Sequence, residues 1–131
     1  MFQGYNFNNA PESYSDEDVA TAWLTVSVDE CAASAKWAFP ELDDLIRDEP
    51  ERAWRIIIAL AERVSTPEAK SLLAAGPIEN LLSRHGPTFI DRVEQRAQSD
   101  PGFNYLLGGV WRFEMTEDIW NRLQAARKEV W

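Results

Sequence analysis

His85 is the only histidine and Cys31 the only cysteine of this 131-residue chain. A lone imidazole with Glu79 and Asp91 nearby would suit general acid–base work. Its position argues for a simpler role. It falls in a last helical turn before Gly86-Pro87, where a ring N–H meets carbonyls left without helical partners. Cys31 would be a nucleophile only with a base beside it, and none can be assigned. Burial as an inert side chain is its expected fate. A single cysteine also excludes an intrachain disulfide. Carboxylates crowd the segment Glu41, Asp43, Asp44, Asp48 and Glu49, but they lack the Asp-x-Asp-x-Asp-Gly spacing and the bidentate Glu of a calcium loop. One Cys and one His do not make a zinc site. Gly108-Gly109 is followed by no Lys-Ser/Thr, so there is no phosphate loop. No catalytic residue, cofactor or metal is therefore assigned.

The strongest signal is electrostatic. Residues 1–50 carry eleven acids and two bases, whereas residues 51–131 carry eleven of each, so the whole net charge of −9 sits in the first fifty residues. Such a balance disfavours nucleic acid, which demands a basic footprint, and disfavours anionic membrane surfaces. It favours a basic protein surface, with plain solubility as the alternative. Glu41, Asp44 and Asp48 are spaced to share one helix face, and Asp16, Glu17 and Asp18 form a second acidic group. These six are the first candidate contact residues. Trp111 and Arg112 are the second, because Trp and Arg dominate interface hot spots. The structural alternative puts Trp111 in the core and pairs Arg112 with a local acid.

These residues need elements to hold them. Residues 1–14 read as an irregular aromatic arm, with Phe2, Tyr5, Phe7 and Tyr14 as anchors that pack back on the body. Residues 15–131 read as one all-α domain. Ser15-Asp16-Glu17-Asp18 resembles a capping box at the start of a first helix. A second helix is expected over about Ala33–Arg47, with Pro40 kinking it or restarting it at a new first turn. A third begins at Pro50 and is apolar nearly all round, which predicts a central position and places Trp54, Ile57 and Ile58 among the most buried residues. Thereafter Pro opens and Gly closes short helices: Pro67 to Ala75-Gly76, Pro77 to His85-Gly86, Pro87 onward, and Pro101 to Gly108-Gly109. Thr116 caps a last helix. The expected fold is a compact bundle or helical-repeat-like stack of about six to seven short helices.

The run LLAAGPIENLLSRHGPTFIDRVEQRAQSDPGFNYLLGGVWR, Leu72–Arg112, resembles a bacterial family of small domains of unknown function. That family carries LAAGPLEDLL, then HG with FID-RVE, then DP-F, then LGGVW. Here Ile78 replaces Leu and Asn80 replaces Asp, and the tyrosine-bearing FNYLL stands where the family is often more basic. Upstream words such as AWLTV and AWRIIIAL extend the likeness over most of residues 17–125. The resemblance implies an all-α fold and supplies no catalytic residues.

The reading that follows is a non-enzymatic acidic protein-binding domain, an immunity or inhibitor protein that occludes a basic toxin or nucleic-acid-binding effector. Two other classes compete with it. One is a cryptic enzyme using His85 in a pocket with Glu79 or Arg112. The other is a self-associating scaffold subunit, favoured by the six Trp and the aromatic arm. Met1–Pro11 lacks the basic and apolar regions of a signal peptide, and the longest apolar run, Ile56–Ala61, falls far short of the ~20 residues of a membrane span. A cytoplasmic location is expected.

Overall fold

In the computed structural model, which describes residues 10–29 and 31–131, the chain is all-α, with no strand among the described residues. Helix α1 spans Asp16–Val28. The Ser15 hydroxyl accepts from the Asp18 N–H at 3.1 Å and the Asp18 carboxylate accepts from the Ser15 N–H at 2.9 Å, which is the expected capping box. A 3₁₀ turn, Ala33–Ala35, precedes α2, Ala38–Asp48. Pro40 thus lies in the first turn of α2, where its missing N–H costs no helical bond. Helix α3 is Pro50–Arg63 and α4 is Pro67–Leu73.

Gly76-Pro77 does not break the chain into two helices. Residues Ala74–Ile78 form a π-helical turn that runs from α4 directly into α5, Glu79–Ser99. A proline ring collides with the carbonyl four residues back, and the wider turn gives it room. His85-Gly86-Pro87 is likewise a kink, not an end: His85 alone leaves helical geometry, at φ −132° and ψ 30°, and Pro87 then enters the first turn of the second half. Helices α6, Pro101–Leu107, and α7, Glu117–Ala126, complete the fold, capped by the side chains of Asp100 and Thr116.

Helix α3 touches α1, α2, α4, α5 and α6, so the position expected for it is central. Its buried stripe, however, is Ala53, Ile56, Ile57 and Leu60, each at most 1 % exposed. Trp54 and Ile58 lie on the flank of that stripe and are only partly buried, while Arg55, Glu51 and Glu62 face outward. The apolar surface of α3 is therefore wide but not complete. Trp54 packs across Phe89 of α5 and Phe103 of α6, with ring centroids 5.8 and 6.0 Å away.

Three glycines permit close approach. A Cβ at Gly86 would lie 2.9 Å from Ile119 of α7, and Cβ atoms at Gly108 and Gly109 would lie 2.6 and 2.5 Å from the Trp131 ring. Trp131 lies across that double glycine, stacks on Tyr105 at 5.2 Å and donates from its indole to the Tyr105 carbonyl at 2.6 Å. Asn104 ties the same corner together. Its amide donates to the carbonyls of Ala97 and Ala126 and its oxygen accepts from the Lys128 N–H, so this buried polar group is satisfied.

Tyr14, at the end of the arm, packs on Trp37 at 5.5 Å and under the Arg52 guanidinium at 5.0 Å. The remaining anchors expected of the arm, Phe2, Tyr5 and Phe7, lie outside the described residues.

Candidate functional site

The six acids singled out by sequence each have a partner within the protein. Asp16 pairs with Arg52 at 2.6 Å and Arg55 at 3.6 Å, and Glu17 takes both arms of Arg63, at 2.6 and 2.8 Å. Asp18 is absorbed by the cap of α1. Glu41 accepts from the Tyr14 hydroxyl, and burial together with that carboxylate pushes the phenol up to about 12. Asp44 and Asp48 share Arg47, at 3.4 and 3.0 Å. The arginines of α3 thus reach back across 36 to 46 residues to neutralise α1. Hydrogen bonds from Arg63 and Arg47 hold the carboxyls of Glu17 and Asp48 below their ordinary values.

Other acids have no cation within salt-bridge distance among the described residues, and four of these line connected hollows. The first hollow, about 210 Å³, is walled by Trp23, Phe39, Leu72, Gly76 and Pro77, with Asp43 at its edge. A second, about 330 Å³, shares Asp43 and Gly76 and adds Glu79, Asn80 and Phe113. A third, about 790 Å³, shares Leu72 and adds Ser27, Val28, Asp29, Cys31 and Glu68. The shared residues join the three into one trench along α4, the π turn and the start of α5. It carries Asp29, Asp43, Glu68 and Glu79, and no Lys or Arg is among its described lining residues. Glu68 also serves as a first-turn acid of α4.

The electrostatics of the trench differ from those of the paired acids. Loss of hydration raises the carboxyl of Asp43 above its ordinary value, opposed by the Asn80 amide at 3.4 Å. Loss of hydration also raises Glu79, opposed by the Trp111 backbone N–H, which donates to it at 3.0 Å. The neighbouring Asp44 charge raises Asp43 further, and the Arg84 cation, whose Nε donates to the Asn80 oxygen at 3.1 Å, lowers it. A raised carboxyl binds its proton more readily folded than unfolded. It therefore costs stability at pH values above its folded pKa, and that cost disappears as pH falls below the unfolded value. Asp43→Asn is accordingly expected to melt higher than the parent at pH 7, with the difference vanishing near pH 3. Paired thermal melts across that range check the sign.

Trp111 and Phe113 stand beside the second hollow, 56 % and 64 % exposed. Trp111 is thus not a core residue. The neighbouring Arg112 is exposed, with its Nε donating to the Met115 carbonyl at 3.3 Å.

His85 lines none of the three hollows. Its Nε2 lies 2.7 Å from the Ile46 carbonyl and donates to it. The helical partner of that carbonyl would be the N–H of residue 50, and residue 50 is proline. The imidazole supplies the donor that Pro50 lacks. His85→Ala is expected to cost about 1–3 kcal/mol, the penalty of a stranded partly buried carbonyl. Chemical denaturation measures it. Cys31, expected to be buried, is exposed in the turn after α1, where its N–H donates to the Asp29 carboxylate at 3.0 Å. Local turn chemistry, not apolar packing, sets its place.

Sequence reasoning did not identify Asp43, Glu79 and Phe113 as one group. The available signal was the Gly76-Pro77-x-Glu79 motif, which proves to line the trench. A family model described as a family of unknown function (DUF6869) matches residues 27–130. No curated protein and no solved structure matches the chain.

Proposed function

Because the chain belongs to this family of unknown function, we propose from its surface that it is a non-enzymatic protein-binding module whose partner is a basic protein. The observation that carries this reading is the placement of two exposed aromatics, Trp111 and Phe113, beside the carboxylates of Asp43 and Glu79, which have no arginine within salt-bridge distance among the described residues. Exposed aromatics supply anchoring area, and the unpaired acids supply selectivity for cations. Asp44 and Asp48, exposed although shared with Arg47, add long-range attraction. An immunity or inhibitor protein covering a basic toxin or nucleic-acid-binding effector is the biological setting this surface suits. His85, committed to the Ile46 carbonyl, offers no support for an acid–base role. The test is kinetic. The partner is recovered on the immobilised chain, and its dissociation from the Trp111→Ala/Phe113→Ala variant is compared with that from the parent.

A further inference from the structure

The trench has features that none of the paired acidic surfaces shares. Its middle is apolar, its length is acidic, and Gly76 sits at the junction of two hollows. A Cβ built on Gly76 would meet no atom within 4 Å. No tertiary neighbour crowds that position, unlike Gly86, Gly108 and Gly109, and glycine also relieves the crowding that a Cβ before Pro77 would meet in a helical turn. Its bare backbone lines both the Trp23–Phe39 hollow and the Glu79–Phe113 hollow.

From Glu68 to Glu79 the trench follows roughly 16 Å of helix axis at 1.5 Å per residue. An extended chain covers that with about five residues at 3.3 Å each, and its alternate side chains point the same way. We infer that this trench binds an extended segment of the partner protein in which arginine or lysine alternates with an apolar residue. The apolar side chain fills the hollow of Trp23, Phe39 and Leu72. The cation lies between Asp43, Glu79 and the Phe113 ring, gaining charge complementarity and a cation–π contact. Asp29 and Glu68 meet a second cation at the far end. This inference rests on the binding-module reading and names the partner chemistry.

A capped hexapeptide alternating arginine and leucine is the probe, and the same peptide with citrulline for arginine is its neutral counterpart. Titrated into the isotopically labelled full chain, the arginine peptide is expected to shift the backbone amides of Asp29, Asp43, Gly76 and Glu79. The citrulline peptide should bind at least tenfold more weakly. Gly76→Val, which puts a branched side chain into the trench, and Asp43→Asn/Glu79→Gln, which removes the charge, should each weaken the arginine peptide at least tenfold. Glu62→Gln, at a carboxylate that pairs with Arg96 and lines none of the hollows, should change it less than twofold. If Gly76→Val does not fold, the Asp43→Asn/Glu79→Gln variant carries the test. Equal affinity for both peptides, unchanged binding by the trench variants, or shifts centred on Asp44 and Asp48 would overturn the inference. Failure here, with a protein partner still lost on removing Trp111 and Phe113, would overturn the trench alone. Peptide held in the trench, with no basic protein showing salt-sensitive association, would overturn the module reading alone.

Discussion

Trp111→Ala/Phe113→Ala is expected to weaken partner binding by about 100-fold, close to 3 kcal/mol, and to leave the melting temperature nearly unchanged. Both side chains are more than half exposed, so truncation opens no cavity in the core. The Trp111 backbone N–H that holds Glu79 survives the substitution, so the carboxylate keeps its position. The loss should fall on dissociation, because anchors act after encounter whereas charges act before it. Surface-based kinetics separates the two rates. Unchanged dissociation would show that these aromatics are surface features with no part in recognition.

Phe103→Ala is expected to have the largest effect on the fold, about 3–5 kcal/mol. The side chain is 1 % exposed and meets Trp54 edge to face at the junction of α3 and α6. For a domain with the usual ~5–15 kcal/mol of stability, that is about a fifth or more of the total. The Asp100 cap bonds the Phe103 backbone N–H and is untouched, so the loss reports packing alone. Urea denaturation with an unchanged m-value and a lower midpoint is the expected result. A loss under about 1 kcal/mol would mean that the α3–α6 junction collapses to fill the space.

Local signals in the sequence proved readable where the physics is local. The caps at Ser15, Thr66, Asp100 and Thr116 each accept the backbone bond their residue types suggest. The Pro and Gly punctuation located the bends from Pro50 to Gly109, but it misjudged two of them as breaks, because a π turn at Pro77 and a kink at His85 let the helix continue. Periodicity alone did not rank the two stripes of α3: Ala53 is fully buried and Trp54 is not, because the large ring fits only on the flank between Phe89 and Phe103.

The candidate site was less legible because it depends on pairing across the chain. The −9 surplus of the first fifty residues suggested an acidic face, yet Arg52, Arg55 and Arg63 fold back onto Asp16 and Glu17. Whether Asp16 and Glu17 are paired is decided by contacts across 36 and 46 residues. Asp43 looked like one carboxylate among five, and its place in a hollow shared with Gly76 and Glu79 and its loss of hydration distinguish it. Trp131 against Gly108-Gly109 was equally hidden, since nothing local ties a C-terminal indole to a glycine pair 22 residues earlier.

The central claim is that this surface recognises a basic protein through charges left unpaired by the fold. Its most direct measurement is the association rate of the unaltered chain with its recovered partner, taken at about 10 mM and again at high salt, where the screening length falls from about 30 Å to a few ångströms. The account predicts association at least tenfold faster at low salt, with dissociation changed far less. An association rate that does not respond to salt would contradict it and leave the acidity of this chain as a matter of solubility.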